Sequence, residues 1–523
     1  MSQDSNHVFT KKELIAIFDY CINKTLGEID SKNVFKRTKE NRKITGIAGD
    51  VIEQSVLKYP ADQKQEPDLL VDGIEVELKT TGIRKIKKPD QKQTTKTKIN
   101  SNEYRINQMY GMLQVASPTI EKAIYEAKEP MSITAVSPKQ IVTEEFDNSN
   151  FWHKLQHLLL VYYLYDSDRT VPAAEYANFP IKGYEFHEFS SEDKNILQND
   201  WQIVHDFIKY LQKNYENYEN EYPRISHELR SKLMYIDTAP KWPNPPRFRL
   251  KRSVVTGIVQ DYFGISLENL PTKILRFSDL DKRCSEITTL YKNKTIEELC
   301  RIFNITNTHI DKAIGEKIVI KMFNGNSSKM NEINIFQKIG LIGKTLILTS
   351  KNTGTEDMKL FQIDFEEIQN KDLLFEDSSF YTYFSEQTFL FILFKEKELT
   401  NSQKKIPLNQ DFFLGFKRLT FDENFIQTEV KSTWNKIRDL VLNEKLIEVI
   451  SYDNENKPFR NKNGIIRSVP NFPKSLANTV FVRGSGVDSS KKNLEINGIK
   501  MYPQYVWIKR TALLGLLSKS NFL

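Results

Sequence analysis

The stretch PDLLVDGIEVELKTTGI (67–83) decides how the chain reads. From Ile74 onward, apolar Ile74, Val76 and Leu78 alternate with charged Glu75, Glu77 and Lys79. A period of two is that of a β-strand, with the apolar set on one face and the charged set on the other. Asp72-Gly73 is a turn signal just before it. Pro67 fixes its own φ and pushes Glu66 toward extended backbone, so Asp68 stands at a defined strand start. Glu77-x-Lys79 follows nine residues after Asp68.

The charged face either meets water or holds a cation. Hydrolysing a phosphodiester needs a nucleophilic water and neutralised phosphoryl oxygens. Mg²⁺ serves both needs and prefers a few carboxylates plus waters and phosphate oxygens. Asp68 and Glu77 are the candidate metal ligands, with the Leu78 carbonyl between them. Lys79 shares the face of Glu77, about 6.5–7 Å along the strand. It is placed to orient the attacking water or to stabilise the transition state electrostatically. Asp72 and Glu75 compete for these roles, but Asp72 reads as a turn residue and Glu75 lies further from Lys79. Upstream, TGIAGDVIEQSVLKY (45–59) reads as a helix with Val51, Ile52, Val56 and Tyr59 as its apolar stripe. Gly46, Gly49 and Glu53 share another face. Two glycines there allow close approach to a carboxylate, so Glu53 is a candidate to support a second ion or a water network.

Gly46-x-x-Gly49-x-x-x-Glu53, Pro67-Asp68 and Glu77-x-Lys79-Thr80 together resemble the active-site signature of MutH-type endonucleases, which have the PD-(D/E)xK nuclease fold. The resemblance continues through FWHKLQHLLLV (151–161), EDKNILQNDWQIVHDFI (192–208) and PRFRLKRSVVTGIV (246–259). It implies catalytic roles for Glu53, Asp68, Glu77 and Lys79, with Mg²⁺ as cofactor. It also implies double-stranded DNA as substrate and products with 5′-phosphate and 3′-hydroxyl ends.

The chain repeats itself. TKKELIAIF (10–18) and TIEELCRIF (295–303) both begin with a capping box, Thr10 with Glu13 and Thr295 with Glu298. FRLKRSVVTGIV (248–259) matches VWIKRTALLGLL (506–517), and each half carries an aliphatic run between these markers, LLLVYYL (158–164) and FLFILF (389–394). Matches in the same order predict a duplicated domain. The expected class is α/β, with two tandem MutH-like restriction-endonuclease-fold domains, each a mixed sheet flanked by helices. They would span 1–275 and 285–523. This layout resembles the tandem-domain type II restriction endonucleases of the MutH family that cut at GATC, rather than the single-domain mismatch-repair nickase.

The second copy is expected to lack the chemistry. GEKIVIKMF (315–323) aligns with GDVIEQSVL (49–57), and LIGKTLIL (341–348) with VELKTTGI (76–83). Val319 then replaces Glu53, Ile342 replaces Glu77, and Ile333 stands where an Asp would be needed, while Lys344 matches Lys79. GLIGKT is not a phosphate-binding P-loop, because Lys338 stands where that motif needs Gly. Without carboxylates the copy is read as a DNA-binding or effector domain. FVRGSG (481–486) resembles the part of the family that reads bases, and Arg483 would donate to guanine O6 and N7. The first-half counterpart, IDTAPKWPNPP (236–246), has no Arg, and Lys241 is its nearest cation. The Lys251-Arg252 and Lys509-Arg510 pairs are read as phosphate contacts. So is IRKIKKPDQKQTTKTK (83–98), with seven Lys or Arg and one Asp.

Composition sets the outer limits. At 523 residues the chain is too long for one ordinary core. A net charge of +7 is mildly basic and suits a polyanion. No run approaches a membrane span, and the polar N-terminus lacks a signal-peptide core, so a cytoplasmic protein with no membrane partner is expected. Three scattered cysteines exclude a disulfide framework and have no zinc spacing. His153 and His157 find no third ligand. One active site per chain implies sequential nicking or a homodimer on DNA, with a cognate methyltransferase as functional partner. The competing readings are a mismatch-repair nickase and a non-catalytic DNA-binding protein.

Overall fold

The computed structural model describes residues 7–39, 46–59, 66–86, 124–167, 171–239, 246–306, 313–349, 351, 353–354, 356–397, 408–452, 457–460, 464–486 and 492–523. Lys241 and residues 87–98 of the basic run lie outside these residues.

The 67–83 stretch folds as a two-residue hairpin. Strand β2 (Leu69–Val71) pairs antiparallel with β3 (Ile74–Lys85). Asp72 (φ 47°) and Gly73 (φ 83°) both take positive φ, the condition for a hairpin turn that matches strand twist. β1 (Val8–Phe9) runs parallel to β2. On its other side β3 runs parallel to β6 (Leu158–Leu164), which pairs antiparallel with β7 (Ile181–His187). β4 (Tyr125–Ala127) caps the far end of β3. A second sheet joins β5 (Met131–Ala135), β9 (Arg247–Leu250) and β8 (Ile236–Ala239), all antiparallel. These are mixed sheets flanked by helices, as the alternation and helical periodicities predicted.

β3 is a central strand, and this changes its charged face. Val76 and Leu78 point into a core with Leu14 and Phe18 of helix Lys11–Cys21 and Val51 of helix Ile47–Val51. Ile74, expected on that side, is 50% exposed at the strand's outer end. The opposite face is covered too, and Glu77 is only 1% exposed.

The same arrangement recurs downstream. β10 (Leu341–Leu348) runs parallel to β12 (Thr388–Lys395), and β12 pairs antiparallel with β13 (Phe412–Leu419), as β3, β6 and β7 do. β11 (Met358–Gln362), β19 (Gln504–Ile508) and β16 (Val480–Gly484) repeat the β5-β9-β8 order. Two small ribbons, β14–β15 (Glu448–Ile450 with Ser468–Pro470) and β17–β18 (Leu494–Ile496 with Ile499–Met501), have no such counterpart among the described residues. Both capping boxes form, but the expected match between them is corrected: Thr295 bridges Phe412 beside β13 as Thr25 bridges Pro180 beside β7, so Thr295–Glu298 is the counterpart of Thr25–Glu28 and not of Thr10–Glu13. The Lys-Arg pairs fall at the same junction, β9 into helix Arg252–Tyr262 and β19 into helix Arg510–Ser518.

The halves share a buried layer. Leu158, Leu160 and Tyr162 of β6 pack with helix Ser191–Asn214, and the cluster runs on to Leu390, Ile392 and Phe394 of β12. The alternate residues Phe389, Phe391 and Leu393 face a separate cluster, as strand alternation requires. Polar contacts rim the shared layer: Lys338 pairs with Asp193 (2.8 Å), Arg230 pairs with Glu423 (2.7 Å), and Arg418 donates to the Ser231 carbonyl (3.0 Å). Among the described residues no helix is long and apolar enough to cross a membrane.

Candidate active site

The hairpin turns Asp68 toward β3. Its Oδ2 accepts a hydrogen bond from the Leu78 N–H (2.9 Å), and its carbonyl is 2.8 Å from His7 Nδ1. Asp68 and Glu77 thus face one another across the β2–β3 pair. Burial, then the Glu77 charge, push the Asp68 carboxyl up to about 6, against the opposing pull of Lys79, the Leu78 N–H and Lys154. Two carboxylates sharing a partly dry site resist joint ionisation.

Glu77 is held by two ammonium groups. Lys79 Nζ donates to its Oε1 at 2.6 Å, closing the gap along the strand by bending along the shared face. Lys154 Nζ donates to both oxygens, at 3.1 and 3.0 Å. Sequence reading passed over Lys154. It lies on the short helix Asn150–Leu155, capped by Ser149, which leads directly into β6. Parallel pairing of β6 with β3 sets Glu77 opposite Leu158, and the Glu77 N–H donates to the His157 carbonyl (3.0 Å). That pairing brings a helix 77 residues away in sequence over the Glu77 carboxylate. A local clue existed: Lys154 interrupts a turn whose Phe151, Trp152 and Leu155 are all buried, and it is only 7% exposed itself. A lysine buried in such a turn needs an anionic partner.

Glu53 sits on the π-helical turn Ile52–Val56 that continues helix Ile47–Val51. This helix crosses β3 beside the site: a Cβ on Gly49 would meet Thr80 Oγ1 at 3.6 Å and Glu53 Oε1 at 4.0 Å. Gly46 has a different role from the one expected. At φ 82° it starts the helix in the left-handed region, and a Cβ there would meet nothing within 4 Å among the described residues. Among the described residues no three His, Cys, Asp or Glu side chains converge as a metal cage. Asp68 and Glu77 alone offer an all-oxygen, two-carboxylate set. That fits Mg²⁺, which keeps several waters; Asp68, raised by burial and then by Glu77, would ionise more readily beside a divalent cation. Glu75 is engaged elsewhere, with His153.

The expected DNA contacts fare unevenly. Lys251 is not a surface cation: it is 4% exposed, and its ammonium donates to the Leu233 carbonyl (2.6 Å) inside the fold. Burial holds that amine below its usual range, opposed by Asp200. The phosphate-contact reading of Lys251 is therefore corrected, because the strand-to-helix junction points it inward. Arg252 is tied to β4, donating to the Ala127 carbonyl (2.7 Å) and pairing with Glu126 (2.6 Å). In the second half Arg483 is exposed and pairs with Asp357 (2.9 Å), with its guanidinium 4.8 Å from the Trp507 ring centre. Lys509 is partly buried, and Arg510 is exposed, with its N–H donating to Asp357 (3.1 Å).

The second copy of the site also has its geometry. A Cβ on Gly315 would lie 2.5 Å from Thr345 Oγ1, the counterpart of the Gly49–Thr80 contact. This supports aligning Lys344 with Lys79, Ile342 with Glu77 and Val319 with Glu53. Burial holds the Lys344 amine below its usual range, with Glu316 opposing.

Two known proteins resemble parts of the chain. A family model described as the DNA mismatch repair enzyme MutH matches residues 112–200. That segment takes in Lys154 and strands β4 to β7, and stops short of Asp68, Glu77 and Lys79. The chain is 25% identical over 342 residues to the type II restriction enzyme Sau3AI of Staphylococcus aureus, covering 60% of this chain and 64% of that protein. The similarity thus spans a little under two thirds of the relative's length. Residues 112–200 are thus similar to MutH, and over 60% of its length the chain is similar to a type II restriction enzyme.

Proposed function

We propose that the protein is a type II restriction endonuclease that cleaves double-stranded DNA with Mg²⁺, at GATC, through Asp68, Glu77 and Lys79 of the first half. The observation that carries this reading is the buried Glu77 carboxylate, held by Lys79 and Lys154, with the half-buried Asp68 beside it. A buried carboxylate held by two lysines is costly to fold, and phosphodiester hydrolysis gives it a use. Asp68 and Glu77 would hold the ion, which when bound supplies positive charge to the phosphoryl oxygens and acidifies a water. Lys79 orients the attacking water and stabilises charge developing on phosphorus. Lys154 is a positioning residue that holds the Glu77 carboxylate. Glu53, close to β3, supports the water network.

The second half is read as a DNA-binding, effector-type copy, with Arg483, Lys509 and Arg510 toward DNA. The domain division at 275–285 belongs to the same proposal, as do a homodimer on DNA, a methyltransferase acting in the same system, and a cytoplasmic location. The test is digestion of supercoiled plasmid with and without Mg²⁺ by wild type, Glu77→Ala and Lys79→Ala. Wild type should linearise the plasmid at mapped GATC sites. Both variants should lose cleavage while retaining DNA binding. Cutting by either variant near the wild-type rate would sink the assignment. Nicking without double-strand breaks would favour the mismatch-repair-type reading instead.

A further inference from the structure

The first half has no arginine at the position that Arg483 holds in the second. β8–β9 and β16–β19 are matched pairs: Ile236 opposite Leu250 corresponds to Val480 opposite Ile508, each just before a Lys-Arg junction. Moving outward along the ladders, Asp237–Arg249 corresponds to Phe481–Trp507, and Ala239–Arg247 corresponds to Arg483–Tyr505. The guanidinium in this third row outward from the starting pair therefore changes strands. It is Arg483 on β16 in one half and Arg247 on the middle strand, β9, in the other.

The surroundings of Arg247 suit it to this task. Phe248 and Leu250 point into the core, so Arg247 and Arg249 stand on the opposite face, where Arg249 lies near Glu386 of the second half and Arg247 is exposed. Arg249 is locked by Asp237 through two bonds of 2.7 and 3.0 Å. Arg247 is exposed, and it makes no hydrogen bond or ion pair with any described residue. Its cross-strand partners are alanines on both sides, Ala239 on β8 and Ala135 on β5. A planar fork with no side-chain partner among the described residues, on a strand paired on both sides, is the donor geometry that matches guanine O6 and N7, and a strand holds it more rigidly than a loop.

We propose that Arg247 is a specificity-determining residue of the first half, donating through its guanidinium to a guanine edge in the major groove. This rests on the nuclease reading above. The probe is a set of short duplexes carrying the tetranucleotide mapped for wild type, each guanine in turn replaced by 7-deazaguanine, which lacks the N7 acceptor. Wild type should lose about 10- to 100-fold in kcat/KM on one of these duplexes. Arg247→Ala should show that loss on the unmodified duplex, with no further loss on the modified one, and Arg247→Lys should not restore it. The inference is overturned if the 7-deaza penalty persists undiminished in Arg247→Ala. It is also overturned if Arg247→Lys restores the rate equally on all duplexes, the mark of a phosphate contact. A wild type that cuts no DNA removes the nuclease reading and this with it; a cutting wild type matched in preference by Arg247→Ala removes this alone.

Discussion

Replacing Lys154 by Met tests how the site is balanced. Lys154 Nζ lies 3.0 and 3.1 Å from the two oxygens of Glu77, and Lys79 Nζ lies 2.6 Å from one of them. Breaking a buried pair costs about 3–5 kcal/mol when the remaining charge is left alone. Glu77 keeps Lys79, so a cost of about 2–3 kcal/mol is expected. The effect on metal binding has the opposite sign. The Lys154 ammonium occupies the carboxylate a cation would use and repels that cation; two charges about 4 Å apart interact by about 4 kcal/mol at an effective dielectric of 20. Solvent near the site reduces this, so removing Lys154 should lower half-saturating Mg²⁺ by about 10-fold or more, at roughly 1.4 kcal/mol per decade. The cleavage rate at saturating Mg²⁺ should fall, because Glu77 loses its second anchor. Urea midpoints and Mg²⁺ titrations of plasmid cleavage read both effects. A variant that needs more Mg²⁺ than wild type, at unchanged stability, would refute this account of Lys154.

Three further outcomes follow from buried charges. Glu386, near Asp237 and Arg249 at the contact between halves, has its carboxyl pushed up to about 7, chiefly by burial and then by Asp237. A raised carboxyl stabilises the fold at low pH and loses that contribution as pH rises through about 7. Glu386→Gln should therefore match wild type below the ordinary carboxylate range and exceed it above pH 7, by at most about 2–3 kcal/mol; equal urea midpoint shifts at both extremes would contradict this. Lys251→Met should change stability by about 1–3 kcal/mol while leaving the salt dependence of DNA binding intact. A slope smaller by about one would instead restore Lys251 as a phosphate contact. Lys344→Ala should leave the single-turnover cleavage rate near wild type, since Ile342 stands where Glu77 does; a tenfold fall would give the second half a part in the chemistry.

Much of the fold was legible because the signals are local. The two-residue alternation of 74–79, the Asp72-Gly73 turn and the capping boxes at Thr10 and Thr295 depend on neighbours within a few residues; the strand, the turn and both boxes formed, with Ile74 alone of the apolar set left exposed at the strand's outer end. The matches at the aliphatic runs and the Lys-Arg junctions reappear as two sets of strands in one order, whereas Thr295 takes the place of Thr25 and not of Thr10, since a Thr-x-x-Glu box is too short a signal to fix the register of a repeat. Side-chain surroundings were less legible. Alternation separates two faces but does not say which one meets water, and the charged face of β3 is covered because the strand is central.

The sequence by itself determined the strand carrying Glu77 and Lys79, the turn that sets Asp68 before it, and the absence of matching carboxylates near Lys344. Period, turn chemistry and residue identity are properties of the chain alone. Only the tertiary structure decided that Lys154 closes the site, that Lys251 is buried, and that Arg247 stands in the row where the other half has Arg483. Each of these depends on strand pairing across long separations, 77 residues in the case of Lys154 and Glu77. Such pairing is set by how the sheets pack, not by anything written beside the residue.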